Sequence, residues 1–166
     1  MISKTPQFTV SVVEGAAMAG AFGIACASDL LVSMSDAKYA LTETKIGLTP
    51  AQITPYVLNR LGFANARKML LLGSIINGQE AYEMGMVDYL VNNESEINDI
   101  ILKIKNQVQK CAPNAIAITK EILSNNNLVN PENAAELFSS SIISEEGQEG
   151  LASFFEKRKP FWAREE

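Results

Sequence analysis

Apolar positions follow a strand-like pattern in the first part of the chain and a helical pattern in the second, and the change falls near Asn92. Before that point, short apolar runs predict strands, and the first of them alternates apolar and polar positions and is rich in β-branched residues. These runs are Phe8–Val13, Asp29–Met34, Lys38–Leu41 and Met86–Val91. Apolar residues at helical spacing from Ala51 onward predict helices that end at Gly62 and Gly73, and a short helix is predicted after Asn77. Residues 7–92 are therefore predicted to form a mixed α/β core.

Residues 93–166 are predicted to be helical throughout. Apolar residues at helical spacing make one stripe on the first helix: Ile97, Ile100, Ile101, Ile104 and Val108. Pro113 and Pro131 are placed where the first turn of a helix tolerates proline, so each predicts the start of another helix. A last helix is predicted before Pro160. We divide the chain into an α/β core over 7–92 and a helical region over 93–166.

Composition and charge exclude several classes of protein. The 166 residues suit one domain, and the net charge of −5 argues against nucleic-acid binding, which needs a basic face to neutralise phosphates. A membrane span would need about 18 or more consecutive apolar residues, and the sequence has no such stretch. The first residues lack the apolar segment of a signal peptide, so the cytoplasm is the expected location.

The absence of histidine narrows the possible chemistry further. It excludes serine or cysteine nucleophiles activated by an imidazole, and zinc sites that use histidine ligands. Cys26 and Cys111 are too few for a disulfide framework or a zinc site, and both are predicted to be buried thiols. We therefore predict no metal site, and the groups left for catalysis are carboxylates, lysines, tyrosines and backbone amides.

Two segments between Glu14 and Pro50 hold the candidate chemistry. In the first, glycines at 15, 20 and 23 follow a predicted strand and lead into a helix of small residues, which would present free N–H groups to an anion. Tight packing of a strand against a helix would explain the same glycines. In the second, Glu43 is a carboxylate among apolar neighbours, and it would serve either as a proton carrier or as a surface or capping residue. Ala21 stands where a phosphate-binding P-loop needs lysine, so nucleotide binding is not predicted.

Taken together, the motifs resemble the enoyl-CoA hydratase/isomerase family, also called the crotonase family. The resemblance rests on Ala19-Gly20-Ala21, Ala27-Ser28-Asp29, Glu43, Ile46-Gly47-Leu48-Thr49-Pro50, Leu71-Leu72-Gly73, Glu80-Ala81, Gly85-Met86-Val87 and Glu156-Lys157-Arg158-Lys159-Pro160. It covers the chain from Phe8 onward. It implies an α/β fold of the ClpP/crotonase superfamily, here a partial ββα spiral followed by a C-terminal helical region that assembles trimers or hexamers.

The resemblance also implies a site for an α,β-unsaturated acyl-CoA thioester, with coenzyme A as part of the substrate and no separate cofactor. Gly20 would supply one backbone N–H of an oxyanion hole, and Glu43 would match one of the two glutamates that hydratases use to add water. The position of the second glutamate falls on Gly23, so the paired carboxylates are not expected. The substrate contacts implied by the resemblance are Ala19, Phe22, Gly23, Leu48 and Pro50. The implied coenzyme A contacts are Phe155, Lys157 and Lys159.

A finer resemblance is to hydratases of branched glutaconyl-CoA esters. It rests on Phe22-Gly23-Ile24-Ala25-Cys26 and on Ala51-Gln52-Ile53 after the proline, where ordinary members have glycines. It implies a branched or carboxylated enoyl thioester, hydrated by addition of water across the double bond.

Members of the family carry a further segment before the strand at Phe8, and the other oxyanion N–H comes from it. The resemblance therefore implies that this chain corresponds to the C-terminal part of a member, with half of the oxyanion hole supplied elsewhere. We expect either an enzyme completed by a separate chain that carries the segment, or a catalytically inactive remnant that serves as an oligomeric assembly module.

Overall fold

The computed structural model describes residues 2–124 and 130–163. The contacts within the chain divide it into two compact units. The first, here called the core unit, contains Thr9–Ile101 together with Ile2. The second, here called the helical unit, contains Ser3–Phe8 and the chain from Leu102 onward.

The core unit consists of six short strands and the helices between them. The strands are β1 Val10–Val13, β2 Ala16–Met18, β3 Leu30–Met34, β4 Lys38–Ala40, β5 Ile75–Asn77 and β6 Tyr89–Val91. The helices are α1 Gly20–Ala27, α2 Thr54–Leu72, α3 Gly78–Glu83 and the start of α4 Glu94–Val108, with a 3₁₀ helix at Glu43–Ile46.

The strands form two sheets. In one, β1, β3 and β6 are parallel neighbours in that order. In the other, β2 pairs with β4 in parallel and β4 pairs with β5 in antiparallel. The register of β2 and β4 places Met18 opposite Ala40. Because these two strands run in the same direction, the segments that follow them leave the sheet at the same end.

Helix α1 and strand β4 meet in the core of this unit. Phe22 and Tyr39 are fully buried, and their rings make an edge-to-face contact with centroids 6.0 Å apart. The Tyr39 hydroxyl donates a 2.7 Å hydrogen bond to Ser33 Oγ, which satisfies its polar end inside the core. Large apolar side chains from the other elements complete the cluster, among them Leu31, Leu41, Val57, Met69 and Met86. This packing fixes α1 against the sheet and so holds the helix N-terminus in place.

The helical unit contains α5 Pro113–Ser124, α6 Pro131–Ile143 and α7 Glu145–Phe155. The Glu146 carboxylate on α7 accepts hydrogen bonds from the main-chain N–H groups of Asn114 and Ala115, and so caps the start of α5. Lys120 Nζ donates to the carbonyl of Gln7 at 2.6 Å, which ties α5 to the N-terminal segment. Among the described residues, no helix combines the length and the apolar character that crossing a bilayer requires.

Large apolar side chains are exposed on the helical unit. Phe154 and Phe155 are each 77% exposed at the end of α7, and Phe138 on α6 is 68% exposed. None of these three side chains faces the interior of the unit. A concentration of exposed aromatic residues on a folded surface is typical of a surface that binds a partner.

The observed helices and strands follow the predicted order, and two further strands are present. The expected strands are present as β1, β3, β4 and β6, although β6 begins at Tyr89 rather than at Met86. The three-residue strands β2 and β5 were not predicted, because such short segments show too little alternation. The two helices expected on either side of Gly62 are present as two helical segments of α2 that meet at a kink, where Gly62 has the non-helical φ 67° and ψ 168°. The second segment is capped by Gly73 in the left-handed conformation, as expected.

We expect Gly78→Ala to destabilise the core unit by about 1–3 kcal/mol or more. A Cβ at position 78 would lie 2.0 Å from the carbonyl oxygen of Met34, which belongs to a strand and has little freedom to move. Gly15→Ala is the matched control, because a Cβ there would have no atom within 4 Å. Thermal unfolding of the two variants measures the difference, and equal midpoints would contradict the close approach at Gly78.

Candidate active site

The two candidate segments are neighbours at one end of the sheet that contains β2 and β4. Gly20 comes two residues after β2, and Glu43 comes three residues after β4. The Ala19 N–H donates a 3.0 Å hydrogen bond to the Ala40 carbonyl, so the parallel pairing continues past the end of β2. The start of α1 and the start of the 3₁₀ helix therefore both follow paired strands at the same end of this sheet.

The N-terminus of α1 presents unpaired backbone donors. The Ala19 carbonyl accepts the first helical hydrogen bond, from Gly23 at 3.2 Å, so the N–H groups of Gly20, Ala21 and Phe22 have no partner within the helix. No acceptor for these donors is found among residues 2–124 and 130–163. A Cβ on Gly20 would meet open space, so a ligand has room to approach its N–H. This end of α1 suits an oxygen atom that carries negative charge.

Ala19 is held in an unusual backbone conformation, with φ 48° and ψ −117°. Such a conformation costs an alanine on the order of 1–3 kcal/mol, and it persists only where the surrounding structure imposes it. Here the hydrogen bond to Ala40 and the start of α1 impose it from both sides. The strained residue turns the chain so that the next N–H groups point away from the sheet.

Glu43 has a buried carboxylate oxygen without a partner. Its Oε2 atom is inaccessible to solvent, and no hydrogen bond reaches it from the described residues. The loop that holds it is closed by main-chain hydrogen bonds, with Leu48 N–H donating to the Glu43 carbonyl at 3.0 Å and Gly47 in the left-handed conformation. An unsatisfied buried polar atom costs about 1–3 kcal/mol, so its presence calls for an explanation such as catalysis.

Other carboxylates near this sheet lie at its opposite end. Glu14 precedes β2 and Asp36 precedes β4, whereas Glu43 follows β4. Among the described residues, no group of three or more His, Cys, Asp or Glu side chains could hold a metal ion. Among the described residues, the structure thus provides one carboxylate, Glu43, at the end of the sheet where the N–H donors of α1 begin.

Gly23, one turn further along α1, is covered by Ile53. Gly23 is buried, and a Cβ on it would lie 2.3 Å from Ile53 Cγ2 and 2.7 Å from Ile53 Cβ. Ile53 precedes α2, where its N–H donates to the Pro50 carbonyl at 3.2 Å. A side chain at position 23 therefore has no room while Ile53 keeps this position.

Comparisons with known proteins agree with this geometry. A family model described as enoyl-CoA hydratase/isomerase matches residues 1–165. The chain belongs to the enoyl-CoA hydratase/isomerase family. The crotonase-like α/β fold expected from the sequence is thus confirmed, with a TM-score of 0.92 against Pseudomonas aeruginosa AtuE.

Relatives within the family are similar along nearly the whole of this chain. Methylmalonyl-CoA decarboxylase of Escherichia coli is 31% identical over 96% of the chain and 64% of the relative. AtuE is 36% identical over 98% of the chain and 64% of AtuE. An enoyl-CoA hydratase/isomerase from Marinobacter aquaeolei is 36% identical with a TM-score of 0.91, over 98% of the chain and 63% of that structure. The chain thus spans slightly less than two thirds of each of these family members.

The remaining substrate contacts implied by the family resemblance differ in how far they are exposed to solvent. The Phe22 side chain is fully buried in the core, so any substrate contact of Phe22 would use its main-chain N–H. Leu48 is 58% exposed on the loop after Glu43. Pro50 is partly buried, and its carbonyl accepts from Ile53 and Thr54 at the start of α2. Leu48 and Pro50 thus border the loop that positions Glu43.

The coenzyme A contacts implied for the family member lie in the helical unit. Phe155 ends α7, and Lys157 and Lys159 follow it on the exposed C-terminal segment. Lys157 has a positive φ of 56°, so the chain turns sharply after the helix. Arg158 between them is held by the Glu149 carboxylate at 2.8 Å from Nη2, which fixes this turn onto α7.

The two cysteines of this family member differ in burial. Cys26 on α1 is buried as expected, and burial raises the pKa of its thiol to about 12, so it stays protonated and unreactive. The expectation that Cys111 is buried was wrong, because it lies exposed after α4, where its thiol donates to the Gln107 carbonyl. Cys111 follows the last position of the apolar stripe, and helical spacing alone did not show that the helix ends at Val108.

Sequence reasoning did not identify Ala19 as a strained residue or Ile53 as the partner of Gly23. Glycine would have signalled a positive φ at position 19, but alanine gives no such signal. Ile53 is 30 positions from Gly23, as the numbering shows, and no local pattern connects the two. Only the packing of α2 against α1 brings them together.

Proposed function

We propose that this protein acts on α,β-unsaturated acyl-CoA thioesters. The Gly20 N–H would bind the thioester carbonyl oxygen, and Glu43 would move a proton at a neighbouring carbon. The observation that carries the proposal is the buried Oε2 of Glu43, which has no hydrogen-bond partner among the described residues, at the same end of the sheet as the open N-terminus of α1. A carboxylate oxygen that the described residues leave without a partner is suited to a partner on the substrate.

The two groups would act on different atoms of the substrate. Hydrogen bonding to the carbonyl oxygen withdraws electrons from the double bond and stabilises the enolate that forms during reaction. In hydration, the hydroxyl group of water adds to C3 and a proton is added to C2. Glu43 would take the proton from water or deliver one to C2. Coenzyme A takes part only as a portion of the substrate, and we propose no other cofactor.

The acyl group that we propose is branched, of the glutaconyl type. The support is the apolar covering of Gly23 by Ile53, which is held by the hydrogen bond from its N–H to the Pro50 carbonyl. The relatives differ in their named chemistry, since one is a decarboxylase and another a hydratase/isomerase. Enolate stabilisation by an oxyanion hole would serve each of these reactions.

We further propose that the protein works as a trimer or hexamer in the cytoplasm. The exposed Phe138, Phe154 and Phe155 support an interface on the helical region 93–166. We also retain the proposal that a separate chain supplies a second oxyanion donor. Among the described residues, no strand pairs with the outer edge of β1 or of β2, and each edge could accept an added strand.

A catalytically inactive assembly module is the second candidate function. The same exposed aromatic residues favour it, because they belong to the helical unit and not to the unit that contains Glu43. This candidate requires oligomers but no binding of acyl-CoA.

Assays on the purified chain distinguish the two candidates. We expect a saturated acyl-CoA to bind in calorimetry, and an enoyl-CoA to lose the ultraviolet absorption of its conjugated thioester as water adds. The test variant is Glu43→Gln, and its matched control is Glu14→Gln, which removes an exposed carboxylate at the opposite end of the sheet. Oligomers that bind no acyl-CoA would contradict the enzyme and support the assembly module.

A further inference from the structure

Ile53 occupies space that every residue larger than glycine would need at position 23. A Cβ added at position 23 would lie 2.3 Å from Ile53 Cγ2 and 2.7 Å from Ile53 Cβ, and both distances are too short for two carbon atoms in contact. Cβ is the branch point of the side chain and Cγ2 is a methyl group attached to it, and branching at Cβ makes the side chain stiff next to the main chain, so both atoms have little freedom to move aside. The bare Cα of Gly23 and the side chain of Ile53 therefore form one packed surface.

This surface lies on the same face of α1 as the proposed oxyanion donor. Gly20 and Gly23 are separated by three positions, which places them above one another on a helix, within about one turn of 5.4 Å. Ile53 is only partly buried, so part of its side chain faces outward next to that helix face. An acyl group whose carbonyl oxygen binds the Gly20 N–H, and whose chain runs along this face of α1 toward Gly23, would place its carbons next to Ile53.

The surface beside the carbonyl site is therefore apolar. Ile53 has no hydrogen-bonding group in its side chain, and it denies position 23 to any polar side chain. A polar or charged substituent placed there would lose water without gaining a partner, whereas a methyl group would gain apolar contact. The chemistry of the surface thus discriminates between substituents near the reacting carbons.

We propose that Ile53 is the residue that determines acyl specificity, by selecting thioesters with an apolar branch at C3. The inference rests on the proposed function, and it assigns the selection among acyl groups to the Ile53 side chain. Gly23 is equally necessary for this selection, because only glycine at position 23 leaves room for the Ile53 side chain against α1.

The packing is tested first, by thermal unfolding. Gly23→Ala should lower the Tm, and the same change should lower it much less in a protein that already carries Ile53→Gly, which removes both the Cγ2 and the Cβ that the added methyl group would meet. An equal loss in both backgrounds would show that Ile53 does not occupy this space and would overturn the inference.

Specificity is tested with two esters of coenzyme A that have the same main-chain length, but-2-enoyl-CoA and 3-methylbut-2-enoyl-CoA. The wild type should prefer the methyl-branched ester in kcat/KM, or in Kd measured with the corresponding saturated esters. Ile53→Ala should reduce this preference about tenfold, the low end of the range for one methylene group in an apolar pocket. Ile53→Val, which keeps most of the side chain, should retain most of the preference.

Leu58→Ala is the matched control, because Leu58 is also a partly buried residue of the α2 segment packed against the same core. It should lower the Tm without changing the ratio between the two esters. An unchanged ratio in Ile53→Ala, or an equal change in Leu58→Ala, would overturn the role of Ile53. Failure of the wild type to bind either ester would instead overturn the proposed function, and this inference with it.

Discussion

Replacing Glu43 with glutamine should slow the reaction strongly and raise the stability of the fold. The glutamine keeps the shape of the side chain but cannot carry a proton between water and carbon at neutral pH. General acid–base catalysis contributes about 10²–10⁴-fold to rate, so kcat should fall by about that factor. Binding of a saturated acyl-CoA should change little, because the Gly20 N–H and the coenzyme A contacts are unaltered.

The gain in stability follows from the buried Oε2 atom. In the wild type this carboxylate oxygen has neither solvent nor a hydrogen-bond donor among the described residues. Neutral glutamine removes the charge from that position, and we expect a gain of about 1–3 kcal/mol in the free energy of unfolding. Such a gain at the expense of activity is typical of residues kept for function.

Thermal unfolding and turnover of Glu43→Gln should therefore change in opposite directions. Glu14→Gln serves as the control, since it removes the same charge from an exposed position and should leave both quantities nearly unchanged. Undiminished turnover in Glu43→Gln would remove Glu43 from the mechanism. A loss of stability would show that the carboxylate has a structural partner.

Replacing the Gly20 N–H with an ester oxygen should slow the reaction by about 10²–10³-fold, the usual cost of one oxyanion donor. The substitution is made by semisynthesis, and it removes one hydrogen-bond donor while leaving every side chain in place. Stability should change little, because the Gly20 N–H makes no hydrogen bond to any described residue.

Two controls separate the donor from its surroundings. The ester at Ala19 removes the 3.0 Å hydrogen bond to Ala40, so it should lower stability by about 1 kcal/mol. Gly20→Ala keeps the N–H and adds a methyl group in open space, so it should retain stability. A full rate for the Gly20 ester would contradict the proposed oxyanion hole.

Local patterns were sufficient for the longer elements of the fold. Helix α4 followed from its apolar stripe, and Gly73 was correctly expected to end α2 because glycine adopts the left-handed conformation without strain. The strands β2 and β5 were missed, since each has only three residues and depends on pairing with β4. Strands this short are stabilised by their neighbours more than by their own sequence.

The sequence by itself determined the family, the candidate donor at Gly20, the candidate carboxylate at Glu43 and the absence of a side chain at position 23. These are properties of residue type and spacing, which a linear pattern records. Only the tertiary structure decided that Glu43 Oε2 is buried with no partner in the part of the chain that the structure describes, and that Ile53 fills the space over Gly23. Burial and close contact depend on how the β2–β4 pairing and the packing of α1 against α2 bring distant segments together, and no local sequence signal encodes that distance.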